Sequence, residues 1–284
     1  MNKLIEISRP GFWLITVWCY IAGIKGTIED RVHTLPFWIG LLYSTLPLNL
    51  LVYSWNDLGD EELDVMNPRK GPFLLGVKGV SHSDMKQVLL VSFALNAAFI
   101  FILAPFAGVT ASLLFGVLLT VTNYSYNSGP QWRNGPMPLD MIGPMGYVLI
   151  IPFSSAINGM DFPSVGTLMF HVAMVLRSQL WGQIIDISYD MDHGRRTTAV
   201  TLGVKGARVF LFFLVLCELM AGVILVNDFW VSMFSLLSLF QALVEIFVYP
   251  SVPPTLLLAM LTGMVLTPAA GLLLLHVATN PVFM

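Results

Sequence analysis

Five acidic side chains crowd into Asn56-Asp57-Leu58-Gly59-Asp60-Glu61-Glu62-Leu63-Asp64, directly after an apolar run from Leu35 to Trp55. A charge cluster at the end of a greasy segment needs a physical reason. If the helix continues through it at about 100° per residue, and Asn56 is set to zero, Asp60 falls near ~40°, Asp64 near ~80° and Asp57 near ~100°. One face then carries an amide and three carboxylates. Such oxygens repel one another unless a cation sits among them. Oxygen-only ligation suits Mg²⁺, which keeps waters or bridges to phosphate. Asn56, Asp57, Asp60 and Asp64 are therefore read as a metal-binding set. The competing reading is a solvated acidic loop on a membrane surface.

A second stretch weighs against that competitor. Asp186-Ile187-Ser188-Tyr189-Asp190-Met191-Asp192-His193-Gly194-Arg195-Arg196-Thr197-Thr198 again follows a mostly apolar run. Asp186 and Asp190 are four apart and share a helical face. Gly194 reads as the helix stop. Two acidic helix ends, each followed by basic residues, read as two halves of one site.

The elements that would position these residues are membrane helices. Of the 284 residues, 56% are hydrophobic and only 11% are charged, where soluble domains run near a quarter charged. The expected fold is an all-α integral membrane protein in one domain, residues 1–284. It is read as a bundle of about nine transmembrane helices with a central cavity open to the cytoplasmic side. The spans are expected at 11–28, 35–55, 86–104, 107–124, 139–158, 164–187, 206–226, 229–249 and 254–276. Each is about 18–24 residues, enough to cross roughly 30 Å of hydrocarbon. Gly143, Pro144 and Gly146 weaken the fifth.

Nine spans sort the charges by side. Lys3, Arg9, Arg69, Lys70, Lys78, Lys86, Arg133, Arg195, Arg196, Lys205 and Arg208 fall together, eleven of the fourteen Lys and Arg. Positive residues mark the cytoplasmic face, so both acidic motifs should open there. Carboxylates and cations at the cytoplasmic end of an apolar bundle suit a ligand with an anionic head and a greasy tail, such as a prenyl diphosphate. Metal held by the motifs would bridge the diphosphate while the cations neutralise the departing charge. The expected partners are that diphosphate, a hydrophobic acceptor and the lipid bilayer. No nucleic-acid feature and no protein partner is evident.

These motifs resemble those of the UbiA superfamily of intramembrane prenyltransferases. Its first signature, NDxxDxxxD, is met by Asn56, Asp57, Asp60 and Asp64, and its Asn-Pro-Arg stretch by Asn67-Pro68-Arg69-Lys70. Its second, DxxxD then Gly, basic residue and Thr, is met by Asp186, Asp190, Gly194, Arg195, Arg196 and Thr197. Arg9-Pro10 before Trp13 is also similar to the family's amino-terminal pattern. The resemblance implies Mg²⁺ ligation by Asn56, Asp60, Asp64, Asp186 and Asp190. It also implies a diphosphate held by Arg9, Arg69, Lys70, Tyr124, Tyr126, Arg133, Arg195 and Arg196. The family's Tyr-Ser-x-Pro-Pro connection with its lysines is replaced by Tyr124-Ser125-Tyr126-Asn127-Ser128-Gly129-Pro130-Gln131-Trp132-Arg133. Arg133 is the one cation in that stretch.

Arg177 lies inside the sixth expected span, where a charge is costly and usually functional. It is expected to bind an acidic acceptor or to pair with Glu218, the other readings being a snorkelling side chain or a span placed elsewhere. The reaction expected is Mg²⁺-dependent prenyl transfer to an aromatic or lipid acceptor. The alternatives are a terpene cyclase on the same bundle, which needs no acceptor, and a non-enzymatic transporter or assembly factor. Carboxylates at the helix ends rather than mid-membrane argue against a proton-relaying transporter.

Overall fold

The computed structural model describes residues 2–24, 30–60, 70–71, 76–135, 137–248, 270–277 and 279–280. All regular structure among them is helical. The helices are α1 (Asn2–Ile7), α2 (Trp13–Ala22), α3 (Leu35–Tyr43), α4 (Leu46–Leu58), α5 (His82–Ala107), α6 (Val109–Asn127), α7 (Leu139–Ile142), α8 (Ile150–Ile157), α9 (Val165–Asp192), α10 (Thr198–Met220) and α11 (Phe229–Val248). Residues 270–277 are also helical.

Six of the nine expected spans are long and apolar enough to cross a bilayer among the described residues. The other three differ for separate reasons. The first is short, Pro10–Ala22. The sixth, in α9, is long, but His171, Arg177, Gln179 and Gln183 interrupt its apolar run. Most of the ninth lies outside the described residues.

The described residues form two compact units. The first comprises Met1–Ile24, Ile28–Pro130 and Leu149–Phe162; the second comprises Gln131–Val148 and Pro163–Met284, with Lys25–Thr27.

In the first unit the expected single helix 35–55 is two, broken at Ser44 and Thr45. Pro47 explains the break. It has no N–H to give, so it sits in the first turn of α4, where none is required. Asn49 covers the gap: its amide donates to the Ser44 carbonyl at 3.2 Å, the Thr45 carbonyl at 2.8 Å and the Thr16 hydroxyl at 2.9 Å. Asn96 of α5 donates to the Pro47 carbonyl at 2.7 Å.

Helices α2 and α8 nearly touch. A Cβ on Gly23 would lie 2.3 Å from the Ile151 carbonyl oxygen. Ser154 and Ser155 donate across the gap to the Tyr20 and Gly23 carbonyls at 2.5 and 2.6 Å. Small residues and hydroxyls join helices where lipid removes the hydrophobic driving force. Ile7, Leu50 and Met85 seal α1, α4 and α5 beneath the first motif.

In the second unit Leu180, Ile184 and Ile187 of α9 pack on Ala199, Ala207 and Leu211 of α10 and on Met141. The fifth span is helical at its ends and tightens to a 3₁₀ turn over Gly143–Leu149, as Gly143, Pro144 and Gly146 foretell.

Candidate active site

The first motif begins on α4, but the helix stops at Leu58 and Gly59 caps it. Asn56 and Asp57 are helical. Asp60 is not: its backbone N–H turns back to the Asp57 carbonyl at 3.2 Å. The single helical face expected from Asn56 to Asp64 therefore does not exist at Asp60, because Gly59 favours leaving the helix over extending it. Asp60 is nonetheless buried. Asp64 and Arg69 lie outside the described residues.

Asp57 was expected among the metal oxygens. One of its oxygens is instead committed to two cations. Arg9 Nη2 lies 2.5 Å and Lys70 Nζ 2.6 Å from Asp57 Oδ1. Asp57 Oδ2 is buried with no hydrogen-bond partner. Arg9 reaches this position from a left-handed backbone, φ 49°, just before the turn Pro10–Phe12. That conformation is unfavourable for a side chain with a Cβ. It is held from three sides: the salt bridge, the Tyr53 ring 4.5 Å beneath the guanidinium, and Gly76, where a Cβ would come 3.2 Å from Arg9 Nε. The first unit thus brings Arg9, Lys70 and Asp57 together. Trp55 donates to the Ser128 hydroxyl at 2.7 Å, joining the end of α4 to the end of α6. Beside that junction Tyr126 is half-buried and Tyr124 exposed.

The second motif keeps its expected geometry. Helix α9 runs to Asp192, so Asp186 and Asp190 do share one face. Gly194, at φ 69°, ends it, and the Arg195 N–H returns to the Asp190 carbonyl at 2.9 Å. Asp190 is buried. Its carboxylate accepts from the Thr197 hydroxyl at 3.4 Å and lies 3.8 Å from Arg195 Nη1. Arg196 is exposed. His193 caps the helix through the Tyr189 carbonyl at 2.7 Å.

Arg133 is buried in the turn Trp132–Asn134. Arg177 resolves in favour of pairing: its Nε is 2.6 Å from Glu218 Oε2, and Ser235 donates to the other oxygen at 3.1 Å. It also lies nine residues before Asp186, hence about 180° round the helix and roughly 13 Å along it.

One residue has no precedent in the sequence reading. Asp140 is wholly buried and accepts from Thr198 and Gln183. Its partners are distant in the chain, so no local spacing marks it.

Amide and carboxylate oxygens are the donor set a hard divalent cation takes, and Asn56 with the buried Asp60 carboxylate is a pair of that kind. Among the described residues no three His, Cys, Asp or Glu side chains converge to hold a metal. The first motif's remaining carboxylates lie outside those residues.

Residues 12–259 match the profile of the UbiA prenyltransferase family. The chain is 30% identical over 242 residues to a lycopene elongase/hydratase of Haloarcula japonica, covering 81% of this chain and 76% of that protein. It is 26% identical over 241 residues to a lycopene elongase/hydratase of Corynebacterium glutamicum, covering 81% and 80%. Its fold is similar to that of a UbiA homolog from Archaeoglobus fulgidus bound to GPP and Mg²⁺, with a TM-score of 0.72 at 17% identity over 97% of this chain and 99% of that one.

Proposed function

From its membership of the UbiA prenyltransferase family, to which this integral membrane enzyme belongs, we propose that the chain moves a prenyl group from a prenyl diphosphate onto an apolar polyene of the carotenoid class. The reaction uses Mg²⁺ and takes place at the cytoplasmic face. The single observation that carries the acceptor class is the likeness to lycopene elongase/hydratases over four fifths of the chain. The engagement of Arg177 by Glu218 supports it. An acidic aromatic acceptor calls for a cation, and the one placed within the expected sixth span already has its counter-ion.

The division of labour follows from the residues. Asn56, Asp60, Asp64, Asp186 and Asp190 would hold Mg²⁺, which when bound draws charge off the diphosphate and makes it a better leaving group. Asp57 orients Arg9 and Lys70, and these with Arg69, Arg133, Arg195 and Arg196 bind the diphosphate oxygens. Tyr124 and Tyr126 would supply hydroxyls to the same diphosphate, as the family pattern implies. The allylic C–O bond breaks heterolytically and its electron pair leaves with the diphosphate. A double bond of the acceptor supplies the pair for the new C–C bond. The resulting acceptor cation then either loses a proton to the medium, forming an alkene, or adds water and releases a proton from it, forming an alcohol.

The test is incubation of purified enzyme with dimethylallyl or geranyl diphosphate, Mg²⁺ and lycopene, followed by mass spectrometry. The expected product is lycopene heavier by one prenyl unit, with or without added water. Transfer to 4-hydroxybenzoate but not lycopene would overturn the acceptor class. Cyclic hydrocarbon formed without any acceptor would overturn transfer itself.

A further inference from the structure

We propose that Asp140 is a positioning residue that fixes the diphosphate-binding groups of the second unit; this rests on the prenyl-diphosphate reading above. Asp140 is 0% exposed, and among the described residues its carboxylate accepts hydrogen bonds from neutral groups. Oδ1 accepts from the Thr198 hydroxyl at 2.6 Å. Oδ2 accepts from the Thr198 backbone N–H at 2.5 Å and from Gln183 Nε2 at 2.8 Å. Gln183 in turn accepts from the Ala199 N–H at 3.2 Å. A carboxylate buried in a membrane protein is costly. Capping alone does not account for it, because α10 already has a side-chain cap in Thr197.

What Asp140 joins explains it. It begins seven residues after Arg133, and the turn Trp132–Asn134 packs on α7, which carries it. Gln183 lies on α9 seven residues before Asp190, hence about 20° from it round the helix and roughly 10 Å along. Gln179, Gln183, Asp186 and Asp190 all fall within an arc of about 60° on that helix. Thr198 directly follows Thr197, which donates to Asp190, and lies three residues past Arg195, which pairs with Asp190. One carboxylate thus ties the Arg133 turn, the acidic face of α9 and the Arg195–Thr197 segment to a common point. Asp140 acts through these groups and not on a reacting atom.

Asp140→Asn separates geometry from charge. With its amide oxygen in place of Oδ2, asparagine still accepts from the Thr198 N–H and Gln183, and its NH₂ donates to the Thr198 hydroxyl. Binding of inorganic pyrophosphate with Mg²⁺ to the detergent-solubilised enzyme, by calorimetry, is the readout. It requires neither acceptor nor prenyl chain, so it fails or succeeds independently of the carotenoid assignment. Asp140→Ala should weaken pyrophosphate binding by about tenfold or more, from the loss of hydrogen bonds to a charged acceptor. Asp140→Asn should stay within about threefold of the parent, and Thr198→Val, which removes one donor, should fall between them. In turnover, Asp140→Ala should raise KM for the prenyl diphosphate and leave KM for the acceptor unmoved. Folded Asp140→Ala with parental pyrophosphate affinity would overturn the proposal, as would Asp140→Asn as weak as Asp140→Ala. Should Asp140→Ala not fold, parental affinity in Thr198→Val overturns it and a several-fold loss supports it.

Discussion

At the residue scale, the first motif contains two kinds of aspartate. Asp60 and Asp57 are both buried, but Asp57 holds Arg9 and Lys70 on a single oxygen. A carboxylate so engaged acts on the substrate through its cations. Asp57→Asn should therefore raise KM for the prenyl diphosphate about tenfold or more, the cost of weakened charge-assisted hydrogen bonds. The Mg²⁺ concentration giving half-maximal rate should stay within about twofold. A large rise in that concentration would instead make Asp57 a direct ligand. The two cations of the connecting segments differ in the same way. Arg133 is buried and Lys78 exposed, so Arg133→Ala should cut turnover far more than Lys78→Ala, measured side by side. Equal rates would remove Arg133 from the diphosphate grip. The aspartates of both motifs were legible because charge after an apolar run demands an explanation. Asp140 was not, because it sits singly between Leu139 and Met141, and its partners lie 43 and 58 positions away.

At the element scale, helix identity was legible from apolar length and the break in the fifth span from Gly143, Pro144 and Gly146, but the break at Ser44 was not. The run 35–55 is hydrophobic on all sides, so periodicity offers no seam at Ser44, and only Pro47 marks one. The opposite case is α9, whose polar residues lower its hydropathy yet fall into two faces. One bears Asp186 and Asp190; the other bears Arg177, facing Glu218 of α10. That pairing was foreseeable as one of several options, since a charge inside a membrane span seeks its opposite. It also sets a prediction. Glu218→Leu leaves the half-buried Arg177 guanidinium without its counter-ion, which should destabilise the protein by up to about 3 kcal/mol, the low end of the cost of breaking a fully buried pair. The double variant Arg177→Met with Glu218→Leu should recover most of that loss, because an apolar pair of similar volume often replaces a buried ion pair at little cost. Thermal melting in detergent checks both. If the pair is structural, the double variant also keeps prenyl transfer; lost activity in a well-folded double variant would return Arg177 to the acceptor.

At the scale of the whole molecule, the distribution of charge makes a claim about sidedness that no single helix makes. Eleven of fourteen basic residues fall on connections assigned to one side, and positive residues are retained in the cytoplasm. The proposed reaction calls for the same side, since a prenyl diphosphate has an anionic, water-borne head while its tail and a carotenoid acceptor would partition into lipid. Cysteine labelling in oriented membrane vesicles tests this. Lys78 follows the first motif and Met191 lies within the second; both are exposed in the structure. Cys19 is buried, and Cys217 is exposed on α10, an apolar helix long enough to cross the bilayer, so the parent without either introduced cysteine is labelled alongside as the background. In Lys78→Cys and Met191→Cys, a membrane-impermeant maleimide should label both positions from the cytoplasmic side. Chelation of Mg²⁺ by EDTA should abolish turnover in the same vesicles without altering the labelling, because sidedness is set at insertion and not by the metal. Labelling of either position from the opposite side would place its motif away from the water-borne diphosphate, and the motif could then have no part in releasing it.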